Sequence, residues 1–276
     1  MSIILLTYCN QDTININNIG RSPKTAAGVS DEVYYETCRK YQTQTWIELH
    51  PQRNELTRWR LSPKDVNSLK MLNQIRCAIG RDFKSSDLEH FSPEFVSFVK
   101  TSLEKFPQAF VRLSHKSFKN SFSTRLRPLT TTEDVFDALT SSFDILKTLD
   151  MPEQELFIMK WIHIDRRREY RVFIIESRVV GISQQECYKS FSLSPERQQE
   201  ALSDAQLIVN YYHSNKSTFD SFGYQTVTLD VFVDEGMVKL IECNPPSLWG
   251  PSGSSLFREE DFTTIFHDGN VYIKIR

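Results

Sequence analysis

The sequence predicts an α+β fold whose strands pair mainly antiparallel. Three observations predict it. Between residues 62 and 149, three stretches carry helix-start chemistry ahead of apolar residues at helical spacing. From Glu155, three apolar β runs follow one another with short breaks. After one further capped helix, "VTLDVFVD" and "VKLIECN" flank a short "DEG" turn, which reads as a hairpin.

The elements follow in order. Residues 1–40 are polar after a short apolar start, with "NININN" and "RSPKTAAG", and read as an extension or an irregular strand-and-loop region. "TQTWIELH" (43–50) alternates and favours a strand. "SPKDVNSLKMLNQIRCAI" has Ser62 as N-cap and Pro63 at the first helical position, with Val66, Leu69, Leu72 and Ile75 at helical spacing. "SPEFVSFVKTSLEKF" repeats the signal from Ser92, with Phe95, Val96, Val99 and Leu103 on one face. "PQAFVRLS" (107–114) is a short strand, and "TTTEDVFDALTSSFDILKTL" a helix with Glu133 and Asp134 at its positive end. "ELFIMKWIHI", "EYRVFIIES" and "RVVGISQQE" suit an antiparallel meander. A helix capped by Ser194 leads to the hairpin, and "SSLFREEDFTTIF" reads as a final helical segment. The natural subdivision is an N-terminal region, 1–90, and an α+β core, 91–276.

Composition bounds the function. The 276 residues allow one large domain or two modest ones. Nineteen Phe against nine Gly favour a well-filled core over a glycine-rich phosphate cradle. A net charge of −2 argues against sequence-blind nucleic-acid binding, which needs a basic surface. The five cysteines are scattered without a CxxC pair, and the six histidines show no HxH or HExxH spacing. Reduced thiols in a cytoplasmic compartment and no zinc site are expected. The apolar run Ile3 to Leu6 is too short for a signal peptide or a span, so no membrane partner is expected.

The chemistry concentrates at oxygen and nitrogen side chains placed inside apolar strands. Glu242 and Asn244 alternate onto one strand face. If the two hairpin strands pair, Asp230 approaches them from the side. Two carboxylates and an amide oxygen suit magnesium, which takes oxygen ligands and shares its shell with water and phosphate. Asp230 and Glu242 facing solvent on a half-exposed hairpin is the alternative. Lys160 and Trp161 face opposite ways; the lysine needs an anion, a phosphate or a carboxylate such as Glu169, and the indole offers an adenine platform. Arg171 suits a phosphate or an ion pair within the sheet. Arg166 to Arg168 read as a solvated turn. Arg112 on a strand, then Lys116 and Lys119 in the following loop, could cover phosphates; His115 reads as incidental.

The order of these signals resembles an ATP-grasp core, and the wording resembles the D123 family, also called the cell division cycle protein 123 family. The stretches that carry it are "SPEFVSFVKTSLEKFPQAFVRLS", "ELFIMKWIHIDRRREYRVFIIESRVVGISQQ", "VTLDVFVDEGMVKLIECNPP" and "SLFREEDF". The resemblance implies an ATP-grasp fold of two α+β lobes enclosing magnesium-ATP. It also implies a role in the cell cycle and translation initiation: assembly of eukaryotic translation initiation factor 2 by binding its gamma subunit. Carried over by position, Arg112 and Lys119 lie near phosphates, Lys160 and Trp161 line the adenine side, and Arg171 contacts phosphates. Asp230, Glu242 and Asn244 hold magnesium. The family usually has lysine at Arg112 and "PRDA" where this chain has "FKNS". A carboxylate-amine ligase or phosphotransferase built on the same fold is the alternative.

Overall fold

The computed structural model describes residues 2–7, 36, 39–50, 53–118, 127–142, 148–186, 191, 193–246, 255–257, 261 and 267–276. The strands are β1 (Ile3–Thr7), β2 (Leu56–Arg60), β3 (Ala109–Leu113), β4 (Glu155–Lys160), β5 (Glu169–Ile175), β6 (Arg178–Gln184), β7 (Val227–Asp234), β8 (Met237–Asn244) and β9 (Val271–Ile275). The longer helices are α1 (Pro63–Ile79), α2 (Pro93–Lys105), α3 (Thr132–Thr140) and α4 (Pro195–Ser221). The chain divides into two compact units. One contains Met1–Tyr41, Thr45–Pro51 and His163–Arg276; the other contains Gln42–Gln44 and Gln52–Ile162.

The larger unit is a six-stranded sheet in the order β1-β9-β6-β5-β7-β8. The β5–β6, β5–β7 and β7–β8 pairs are antiparallel, while β9 runs parallel to both β1 and β6. Helix α4 covers one face, burying Ala201, Ala205, Ile208, Tyr212 and Phe219. Ser194 caps it as expected, its hydroxyl accepting from the Arg197 N–H. The Tyr170 hydroxyl donates to Asp204 of α4 at 2.9 Å, so the even-numbered side of β5 faces the helix and Arg171 faces away.

The smaller unit is an antiparallel sheet, β2-β4-β3, with α1, α2 and α3 packed on one face. Leu69, Leu72, Phe95, Val99, Val135, Phe136 and Leu139 meet Val111, Leu113, Leu156 and Ile158 there. Phe136 stands 4.5 Å from Phe91 and 5.1 Å from Phe95 between ring centroids, which shows where the phenylalanine-rich composition is spent. Buried Asp65 ties two helix starts together. It accepts from the Ser62 hydroxyl at 2.6 Å and from the Ser92 N–H and hydroxyl, both at 2.9 Å. Ser92 therefore occupies the expected N-cap position of α2 but spends its hydroxyl on this carboxylate, at the positive ends of both helices.

Four sequence expectations change. "TQTWIELH" is not a strand; Thr43–Trp46 is a helical turn and Ile47–Leu49 a 3-10 turn. Thr43, Trp46, Ile47 and His50 are buried at i, i+3, i+4 and i+7, a helical period that the alternation concealed. The meander does not form either, because β4 pairs with β2 and β3 in the smaller unit and only β5 and β6 make a hairpin. In α1, Ile75 is exposed rather than inward, since Asn73 and Arg76 take the buried positions. Asn73 donates to the Ser142 carbonyl at 2.8 Å, and Arg76 pairs with Asp137 at 2.5 Å. Strands β2 and β9 were not anticipated. Most of the expected last helix, residues 143–147 of the α3 stretch, and residues 8–35 lie outside the described residues.

Helix α3 starts with a reciprocal capping box. The Thr131 hydroxyl accepts from the Asp134 N–H at 3.0 Å, and the Asp134 carboxylate accepts from the Thr131 N–H at 3.2 Å. Burial pushes the Asp134 pKa up, but Arg127 and the Thr130 donors outweigh it and hold the pKa at about 2. A depressed folded-state pKa stabilises the fold above the unfolded value, and that contribution fades as pH falls from about 4 toward about 2. Asp134→Ala is therefore expected to cost about 1 kcal/mol at neutral pH. In urea unfolding, the gap between variant and wild type should close across that acid window.

Candidate functional site

Backbone register lays a row of polar side chains across the larger sheet. Arg171 of β5 lies opposite Ser183 of β6 and Asp230 of β7; Asp230 lies opposite Glu242 of β8, and Ser183 opposite Lys274 of β9. Partners in register share a sheet face, so this row occupies the side away from α4. The register depends on a bulge. Asp234 pairs with Met237 across the Glu235-Gly236 turn, where both φ values are positive, 49° and 74°. Val231 still pairs with Leu240, but Asp230 pairs with Glu242, leaving Ile241 as the extra residue. Glu242 and Asn244 thereby turn toward Asp230, while Cys243 is buried.

At the centre, Arg171 donates to both oxygens of Asp230, Nε and Nη2 each at 2.8 Å. Arg171 is 5% exposed and Asp230 2%, so this is a buried, bidentate ion pair. Asn244 Nδ2 donates to Asp230 Oδ2 at 3.2 Å and to Glu242 Oε1 at 3.5 Å. Burial alone would lower the Arg171 pKa, but Asp230, then Glu242 and Glu169, raise it above the usual guanidinium value. The expected convergence of Asp230, Glu242 and Asn244 is present, and Arg171 joins it; the solvated-hairpin alternative for Asp230 does not hold. At the far end, Lys274 donates to Asp261 at 2.8 Å and lies 4.9 Å from the Phe257 ring centroid. Ser183 and Lys274 escaped the sequence reading, although "VYIKI" behind the Gly269 turn carries a strand signal.

The remaining expected residues belong to the smaller unit. Arg112 is buried on β3 and opposite Phe157 of β4. Phe110, two residues earlier on the same face, has its ring 6.4 Å from that of Trp161. Lys160 faces the other way, as expected, and pairs with Glu55 at 3.5 Å, with both side chains about half exposed. Lys119 lies outside the described residues. The Arg166–Arg168 turn is not simply solvated: Arg168 Nε donates to fully buried Asp204 at 3.0 Å. Among the described residues, no group of three or more His, Cys, Asp or Glu side chains could hold a metal, and Asn244 is the third donor of the set above.

The family model described as D123 matches residues 85–265, which include every residue of the expected site. The chain belongs to the D123 family. Cdc123 from Schizosaccharomyces pombe superposes with a TM-score of 0.65 at 17% identity, covering 87% of this chain and 98% of that one. A C-terminally truncated form of the same protein gives 0.65 at 15% identity, covering 88% and 98%. These matches establish the fold of the family for this chain, an α+β architecture with two sheets. D-alanyl-alanine synthetase A from Vibrio cholerae is more distant, with a TM-score of 0.34 at 13% identity over 76% of this chain and 68% of that one. Comparison with curated protein sequences finds no match. No described helix is long and apolar enough to cross a membrane.

Proposed function

We propose that this D123-family chain binds magnesium-ATP and in that state docks a protein client in the cytoplasm, the client being the gamma subunit of eukaryotic translation initiation factor 2. The convergence of Asp230, Glu242 and Asn244 beside Arg171 carries the nucleotide part of this reading. The donor set fits a hard cation: two carboxylates and an amide whose oxygen is available once the amide turns over. Asn244 donates its amide N–H to both carboxylates and so holds the two acids side by side. Asp230, Glu242 and Asn244 would hold magnesium, which supplies charge for phosphate oxygens. A guanidinium has five N–H donors, so Arg171 can hold Asp230 and also donate to a phosphate. Arg112, Lys119 and Lys160 are assigned to phosphates and the adenine side, with Trp161 as the adenine platform. The client assignment rests on family membership.

Calorimetry with ATP in magnesium and in EDTA tests this reading, with the recovered nucleotide analysed for ADP. Glu242→Gln is expected to weaken ATP binding at least tenfold in magnesium and less than twofold in EDTA. Equal loss in both would remove the metal role. Steady ADP formation would instead indicate a ligase or phosphotransferase.

A further inference from the structure

Part of the sheet face that carries the polar row is covered by residues 255–257 and Asp261 of the same unit, and each fastening uses a different interaction. The Leu256 N–H donates to the Ser183 hydroxyl oxygen at 2.8 Å, while Ser183 sends its own proton to the Gln184 carbonyl at 3.0 Å. Ser183 and Leu256 are both buried. Phe257, also buried, packs with Val180, Tyr272 and Phe173, its ring edge-on to that of Phe173 at 5.7 Å. Asp261 accepts from Lys274 at 2.8 Å, with 16% and 15% of their side chains exposed. Exposed ion pairs hold little, but this one is mostly buried. The Lys274 ammonium also lies 4.9 Å from the Phe257 ring centroid, so one side chain grips both Phe257 and Asp261.

These fastenings adjoin Arg171. Ser183 is its register partner on β6, and Phe173 follows it by two residues on the same face of β5. Asp230 is its register partner on the other side, β7. Neighbouring strands lie about 5 Å apart, so the backbone at Leu256 stands on the β6 flank of Arg171, opposite the Asp230 flank. A phosphate held by Arg171 has the carboxylates on one flank and this apolar stretch on the other. Leu256 and Phe257 keep water from their flank, and charge attraction strengthens as local polarity falls. We propose that Lys274, Asp261 and Ser183 are positioning residues that latch residues 255–257 in place as a wall confining the nucleotide's phosphates against Arg171, a role that presupposes the magnesium-ATP binding proposed above. The central cation of the latch, Lys274, lies beyond the residues matched by the family model.

Three measurements on the full chain test this: magnesium-ATP affinity by calorimetry, manganese affinity without nucleotide by electron spin resonance, and exchange of the Leu256 amide proton by NMR. Lys274→Met and Asp261→Asn both break the latch but change the charge in opposite senses. Each is expected to weaken magnesium-ATP binding about fivefold, and the two together should be no worse than either alone. Each should speed Leu256 exchange yet leave manganese affinity within about twofold, because no metal ligand is touched; a general loss of structure would weaken both ligands. Ser183→Ala, which removes no charge, should act likewise. By reciprocity, magnesium-ATP should slow Leu256 exchange in wild type. Unchanged or tighter ATP binding by Asp261→Asn beside a loss in Lys274→Met would overturn the latch and make Lys274 itself the phosphate contact. Unchanged binding in every variant would overturn the latch and leave the magnesium-ATP reading standing, whereas no binding by wild type would remove both.

Discussion

Arg171→Met is expected to lower the unfolding free energy by about 3–5 kcal/mol, because it leaves the Asp230 carboxylate buried and uncompensated. For a chain of this size that corresponds to a fall in Tm on the order of 10 °C. The loss measures what breaking the pair costs, not what forming it gains. Desolvating both ions offsets much of their attraction, so Arg171→Met/Asp230→Leu should recover most of the stability. This contrast separates two roles that the geometry combines. If the pair exists to hold β5 against β7, the double variant should fold and also retain nucleotide affinity. If it poises a phosphate-binding guanidinium beside a metal ligand, the double variant should fold and lose magnesium-ATP binding at least tenfold. The second result is expected, since apolar residues would serve the sheet equally well. A single-variant loss below about 1 kcal/mol would show instead that the pair is hydrated like a surface bridge.

The carboxylate-amide set was legible in the sequence because it is local. A strand, a two-residue turn and a second strand place Asp230 near Glu242 and Asn244 without knowledge of the remaining chain. Plain counting from the Asp234–Met237 pair would have put Asp230 opposite Ile241, and only the bulge makes Glu242 its neighbour. The partner of Arg171 was not legible. Strand order decides it, and Asp230 lies 59 positions further along the chain. The same limit explains the failed meander: the pattern of β4 announces a strand but does not name the sheet it joins. In α1, apolar spacing predicted the helix correctly and misjudged Ile75, because hydrogen bonds of Asn73 and Arg76 draw a polar side inward. Over residues 43–50 two periods were present in the letters, and burial of Trp46 and Ile47 together selected the helical one.

Asp204→Ala should cost about 3 kcal/mol while changing the candidate site little, and the two effects have separate causes. Asp204 is fully buried on α4 and accepts from Arg168 Nε at 3.0 Å, from Arg168 Nη2, and from the Tyr170 hydroxyl at 2.9 Å. Removing it takes the acceptor from the Tyr170 O–H, whose oxygen keeps Arg197 as a donor at 3.4 Å, and leaves much of the Arg168 guanidinium charge uncompensated. Glu200, 3.8 Å from Arg168, softens the loss, which places the expectation at the lower end of the range for broken buried pairs. Asp204→Asn keeps one acceptor oxygen and should cost about half as much; Tyr170→Phe should cost about 1 kcal/mol. In a double-mutant cycle, Asp204→Ala and Tyr170→Phe should be less than additive, since each removes the same hydrogen bond. Tyr170 and Arg171 are consecutive on β5 and point to opposite faces, so the α4 network anchors the strand from one side while Asp230 grips it from the other. Magnesium-ATP affinity of Asp204→Asn within about threefold of wild type, measured well below the variant's Tm, would show that the Asp230 grip alone sets the Arg171 side chain. A tenfold loss would show that β5 needs both anchors to present it.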